Sequence, residues 1–141
     1  MIKQITINLP NVPGKLSEIS DLMGSEGLNV RALLVDDHGE RSTLRYIVED
    51  PDKAVNLLQS REYDFQLDEV LAIEVPDHPG GLGAVLKPLR DHEINVKYLY
   101  PAIGRYGLSA ILILGVDKMD EAQRVFKQNY IQLLEEEVYR L

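Results

Sequence analysis

The chain has 141 residues, 45% apolar and 27% charged, with a net charge of −8, which suits one average globular domain or two small ones. Its 15 lysines and arginines form no run, which argues against nucleic acid and against an anionic membrane surface as partners. It has no cysteine for disulfide or thiolate chemistry, no apolar run near the ~20 residues that span a bilayer, and an N-terminus that alternates like a strand instead of forming a signal core, so the cytoplasm is the expected compartment.

Residues 2–9 alternate apolar and polar and predict a half-buried strand. Pro13 and Gly14 then punctuate the chain, and proline is tolerated in a first helical turn because its missing N–H had no partner there. Leu16, Ile19, Leu22 and Met23 recur at helical spacing, and Gly27 suits a C-terminal cap. Residues 29–36 and 42–49 are β-branched and apolar, with Asp37, His38, Gly39 and Glu40 as the turn between two strands. A second helix is expected over 51–61, opened by Asp50 and Pro51, and a short strand near 64–68 closes the unit.

The same order returns over 70–76, 80–92, 95–103, 107–116, 118–129 and about 135–140. Two departures stand out. Glu93 occupies the place of Gly27, so the third helix must end without that glycine. Pro88 falls inside the same helix, where the lost donor predicts a kink or a loosened last turn.

The two stretches are copies. Ile-Thr-Ile-Asn-Leu-Pro-Asn-Val-Pro-Gly-Lys-Leu-Ser at 5–17 matches Leu-Ala-Ile-Glu-Val-Pro-Asp-His-Pro-Gly-Gly-Leu-Gly at 71–83, with Asn11 on Asp77. The register holds through Leu28-Asn29-Val30 and Ile94-Asn95-Val96, then slips by two, so that Ala54, Leu57 and Leu58 meet Ala122, Val125 and Phe126. An internal repeat of this kind sets the domain division at 1–69 and 70–141. Each βαββαβ unit predicts a four-stranded antiparallel sheet with both helices on one face, an α+β ferredoxin-like fold. In the strand 108–116, Leu108, Ala110, Leu112 and Leu114 line one face while Ile111 and Ile113 line the other. A strand apolar on both faces is buried on both, so the helix-free face of the second half should be covered, most simply by another copy in a homodimer or larger assembly.

A tandem βαββαβ repeat, each copy opening with Asn/Asp-x-Pro-Gly-x-Leu and carrying Leu/Ile-Asn-Val at its second strand, resembles the ACT domain family. The run 70–82, Val-Leu-Ala-Ile-Glu-Val-Pro-Asp-His-Pro-Gly-Gly-Leu, is similar to stand-alone two-ACT proteins. The resemblance spans essentially the whole chain. It implies an allosteric regulatory module that binds amino acids or related small metabolites. It also implies side-by-side pairing of the units, ligands at their junction, and a regulated enzyme acting in trans.

The chemistry of the turns agrees. A helix N-terminus offers free N–H groups and a positive dipole for a carboxylate. Gly14, Gly80 and Gly81 lack side chains that would block a ligand, and Asp77 suits an ammonium group, with Asn11 as its neutral counterpart. Val12, Leu16, Ile94 and Val96 offer an apolar wall. The stronger site is expected to join 77–82, including Asp77, His78, Gly80, Gly81 and Leu82, with Asn29, Val30 and Arg31. Its twin would join Asn11, Val12, Pro13, Gly14 and Leu16 with Asn95, Val96 and Lys97.

Simpler readings accompany several of these residues. Asn29 and Asn95 suit left-handed turn closure. The glycines at 80, 81 and 83 have the wrong spacing for a dinucleotide loop. His38, His78 and His92 have no metal-ligand spacing, and no cofactor is expected. The acidic run 135–137 reads as a solvated segment before the last strand. Tyr98, Tyr100 and Tyr106 read as aromatic packing between strands ahead of a pocket lid. No catalytic residue stands out, since no nucleophile motif is present. Besides the amino-acid sensor, two functions remain open: an assembly or interaction module with a degenerate ligand site, and a small isomerase or mutase.

Overall fold

The computed structural model describes residues 1–104 and 109–141. The order is β1 (Ile2–Pro10), α1 (Lys15–Ser25), β2 (Val30–His38), β3 (Arg41–Val48), α2 (Pro51–Ser60), β4 (Phe65–Val75), α3 (Gly81–Asp91), β5 (Val96–Pro101), β6 (Ala110–Val116), α4 (Met119–Gln128), β7 (Leu133–Leu134) and a 3₁₀ turn (Glu136–Arg140). Both halves therefore adopt the expected βαββαβ order within one seven-stranded sheet.

The strands run β2-β3-β1-β4-β6-β5, all neighbours antiparallel, with β7 beside β4. The two strands expected at 64–68 and 70–76 form the single strand β4. Its residues 65–70 pair with β1 and its residues 71–75 pair with β6, so one backbone serves both halves. Leu71 and Glu69 are strand residues like their neighbours, and nothing in this stretch punctuates the chain.

Side-chain alternation places the helices. Ile5, Ile7 and Leu9 pack with Ile19, Met23, Ala54 and Leu58 beneath α1 and α2, and Leu71, Ile73 and Val75 pack with Val85, Leu89, Val125 and Phe126 beneath α3 and α4. The alternate residues face the other way and make a third core of Ile2, Ala32, Ile47, Val70, Ala72, Tyr100, Ile111, Ile113, Leu134 and Val138, drawn from both halves. The outermost strands meet again: Ala32 bridges Ala102, and the Ile103 N–H donates to the Arg31 carbonyl at 2.7 Å. The sheet thus curls until its helix-free faces share one interior.

This closure corrects the expected cover for the second half. Ile111 and Ile113 are buried by the first half of the same chain, which removes the motive for a dimer through that face. Two further expectations change. The last strand is only Leu133–Leu134, and the stretch expected as strand at 135–140 is mostly the 3₁₀ turn, whose Val138 plugs the interior. Pro13 stays outside α1, which begins at Lys15 after Gly14. Pro88 leaves α3 helical through Asp91. The missing glycine is replaced by geometry: Glu93 takes φ 56, like Gly27 at φ 71, and Glu62 and Tyr130 do the same after α2 and α4. The residues Tyr106 and Leu108 named above lie outside those described.

Among the described residues, one polar side chain is fully enclosed. Gln4, 0% exposed, accepts from the Tyr100 hydroxyl at 2.6 Å and donates to the hydroxyls of Tyr98 and Thr6, each at 3.0 Å. The Thr6 hydroxyl in turn donates to Asp68 Oδ2 at 2.6 Å. The tyrosines therefore serve the interior, where burial pushes both phenols up from their ordinary value. Gly115 makes this possible, because a Cβ there would meet the Tyr98 ring at 2.2 Å.

Two predictions follow from this interior. Gln4→Leu strands the buried Tyr100 hydroxyl and removes one partner of Tyr98, and should lower stability by about 1–3 kcal/mol in urea titrations; a change within about 0.5 kcal/mol would mean that the network contributes little. The raised tyrosine values also fix a sign. Their stabilising effect is complete below the unfolded tyrosine value near 10 and is lost as pH rises above it. Stability should fall on alkaline titration by up to ~1.4 kcal/mol per pH unit for each such tyrosine, with a shallower fall in Tyr100→Phe.

Candidate ligand site

The two turns before the first helix of each half are near-copies. Gly14 has φ 91 and ψ −13, Gly80 has φ 88 and ψ −11, and each is the N-cap of its helix with no side-chain cap. By contrast, the Asp50 carboxylate caps α2 by accepting from the Lys53 N–H at 3.1 Å. The first helical bonds are Glu18 N–H to Gly14 and Ala84 N–H to Gly80. The amides of Leu16 and Ser17, and of Leu82 and Gly83, are thus left without a backbone acceptor, as the first turn of a helix dictates. Beside them Leu16 is 42% exposed and Leu82 44% exposed.

The glycines divide into two kinds. Gly14 and Gly80 are held at positive φ with open space around them, so they serve the backbone turn. Gly81 is buried, and a Cβ there would fall 2.2 Å from the Pro76 carbonyl oxygen. Its missing side chain makes room for the protein's own backbone, which explains Gly-Gly at 80–81 where the first half has Gly-Lys.

Several of the remaining expected site residues are held by bonds near their own turns and strand starts. Asn11 is exposed, but its amide donates to Asp37 Oδ1 and to the Gly39 carbonyl, both at 2.8 Å, and so ties its turn to the β2–β3 hairpin. Val12 is exposed, as are Pro13, Asp77 and His78, and a His78 ring nitrogen lies 2.9 Å from the Pro79 carbonyl. The strand starts repeat one device: the Asn29 N–H donates to Glu49 and the Asn95 N–H to Asp117, while each acid's own N–H returns to the asparagine carbonyl. Val30 and Val96 are half-buried on the two helix-side cores.

Arg31 is committed elsewhere. Its guanidinium donates to the carbonyls of Tyr139 and Leu141 and to Glu49 at 3.2 Å. Residues 29–31 therefore meet the second half at Ile103 and the C-terminal turn, and none of these bonds runs to residues 78–82.

A feature that residue patterns alone did not single out is a polar cleft of about 460 Å³ on the helix-free face, outward from Gln4, lined by Thr6, Asn8, Thr43, Arg41, Arg45 and Gln66 among others. Arg45 pairs with Asp36 at 2.6 Å and lies 4.2 Å over the Tyr98 ring, while its Nε is buried without a partner. The signal for it was present in β1, where Gln4, Thr6 and Asn8 occupy alternate positions on one face. On the helix side, Tyr63 donates to Glu18 at 2.8 Å, and that hydroxyl, aided by Lys15, holds the Glu18 carboxyl below its ordinary value.

These turns give a stability prediction. Gly81→Ala must move the Pro76 backbone and should cost about 2 kcal/mol or more, whereas Gly83→Ala, in open space within α3, should stabilise by roughly 0.5–1 kcal/mol. Thermal denaturation of the pair checks this, and equal melting temperatures would contradict it.

The model of the family described as ACT domain pair matches residues 1–140. A crystal structure of a protein from Bacteroides thetaiotaomicron is similar at 30% identity and a TM-score of 0.92, covering 99% of this chain and 96% of that one. The ligand-free regulatory subunit of aspartate kinase from Thermus thermophilus is similar in fold at 15% identity and a TM-score of 0.64, covering 91% of each chain. No curated protein matches the sequence.

Proposed function

This chain belongs to the ACT domain pair family, and we propose that it is a non-enzymatic regulatory module that binds an amino acid at the turns preceding α1 and α3. We place the division between its two units at residues 69 and 70, within β4. The observation that carries the reading is the duplicated turn. Both copies hold a left-handed glycine N-cap, leave first-turn amides without side-chain caps, and set an exposed leucine beside them. A Ser, Thr, Asp or Asn cap would add about 0.5–2 kcal/mol to each helix. Forgoing it twice leaves donors available for a carboxylate.

In this reading the amino-acid carboxylate sits on the amides of Leu82 and Gly83, its ammonium on Asp77, and its side chain against Leu82. The pseudo-symmetric turn offers the neutral Asn11 in place of the acid, so in this reading the second half is the stronger site for an ammonium group. We further propose that the role is exercised on a separate enzyme in the cytoplasm; the fold shared with a regulatory subunit of aspartate kinase supports the regulatory part of the reading alone. Self-association remains part of the proposal, through surfaces other than the interior of the curled sheet.

The test begins with a thermal-shift screen of the common amino acids, followed by calorimetry on any that raise the melting temperature. Asp77→Ala should weaken binding about tenfold to a hundredfold, the worth of a charge-assisted hydrogen bond. Gly80 is a poor probe, since any side chain there is strained at φ +88. If no amino acid binds at millimolar concentration, the amino-acid reading fails and an assembly role takes its place.

A further inference from the structure

Because the halves share one fold, each surface has an internal counterpart. One pair of counterparts differs in kind. In the first half a groove lies between α1 and the turn after α2, lined by Lys15, Glu18, Leu22, Arg61, Glu62 and Tyr63 among others. It is charged, and the Tyr63 hydroxyl crosses it to Glu18 at 2.8 Å. In the second half the equivalent groove holds about 410 Å³ between α3 and the turn after α4. There Glu18 is replaced by Ala84, Leu22 by Pro88, Glu62 by Tyr130 and Tyr63 by Ile131. Both ends of the bridge are gone, and the groove is open and largely apolar.

Two of these replacements run against local preference. Pro88 forfeits a helical hydrogen bond inside α3, a substitution that costs up to ~3 kcal/mol in a helix interior. Tyr130 stands at φ 58, where a bulky residue is disfavoured, and is 97% exposed. Its ring adds almost nothing to the protein's own packing. The first half adopts the same φ 58 at Glu62, so the backbone shape belongs to the fold while the tyrosine does not. That both unfavourable choices line one groove points to a use for the groove itself.

We infer that this groove, which adjoins the second turn at Pro76 and Ala84 and extends to the turn after α4, is a second small-molecule site, and that it takes a compact amine with an apolar body. The volume suits a small ligand. Ala84, Val85, Pro88 and Ile131 offer apolar walls, and the exposed Tyr130 ring offers a π-face that attracts a cation. Among the described lining residues Glu74 is the one charged group, and it is half-buried. With a chain charge of −8, the field also favours a cation over an anion.

The probe is 2-phenylethylamine, titrated into the full chain by calorimetry and by NMR of the Tyr130 ring, beside 2-phenylethanol and phenylacetate. The amine should bind saturably, with the alcohol weaker by about tenfold, as expected for one charge-assisted contact, and the acid weaker still. Glu74→Gln should reduce the amine to the level of the alcohol, and Tyr130→Ala should weaken all three. Restoring the first half's bridge with Ala84→Glu and Ile131→Tyr should close the groove and abolish binding while the protein stays folded. Equal affinity for the three probes, no binding of the amine at about 10 mM, or unchanged affinity in Glu74→Gln would overturn the inference. If the bridged variant fails to fold, the two single variants decide.

Discussion

The packing of the helix-free faces against each other is the constraint on which the rest of the structure depends. A ferredoxin-like unit leaves one sheet face bare, and a half of this length buries too little surface to stand well alone. Here β4 passes from one half-sheet to the other without a break, and the seam at Ala32 and Ala102 brings the outer strands together. Each half covers the other's bare face. Burying a side chain the size of Ile111 or Ile113 contributes about 1.5–3 kcal/mol, and the interior contains many of that size. The two halves are therefore expected to unfold together.

That interior is not purely apolar. Gln4 spends its amide on Tyr98, Tyr100 and Thr6, linking β1 of the first half to β5 of the second. An apolar interior tolerates sliding of one sheet over another, whereas a fully satisfied amide with two phenols has one good arrangement. The network thus sets how the halves meet more than how strongly they adhere. From Gln4 outward the lining grows polar and opens into the cleft of Arg41 and Arg45, so one curled sheet holds an apolar core and a polar mouth.

Duplication also makes each half a control for the other. Features present in both, such as the left-handed glycines before α1 and α3 or the acid that holds each strand-starting asparagine, belong to the fold or to a function kept twice. Features present once are free of that requirement. Asp77 against Asn11 and the open groove against the bridged one fall in this second group, and the two proposed sites both rest on such differences.

The sequence by itself determined the repeat, the fold of each unit and both turns, because these rest on local signals: alternation of period two, helical spacing of leucines, and proline or glycine where the backbone must bend. It showed that Ile111 and Ile113 must be covered. What covers them was decided by tertiary structure, since a buried face looks the same in sequence whether its partner is another chain or the same one. The fusion of two strands into β4 was hidden because strand continuity depends on what pairs along each edge, not on the residues at 68–70. Glycine at 81 looked like space for a ligand and proved to be space for Pro76, a distinction that only the distance between two backbone segments draws. Left-handed residues such as Glu93 and Tyr130 carry no signal in their side chains, because there the packing of the helix ends imposes a conformation that the residue itself disfavours.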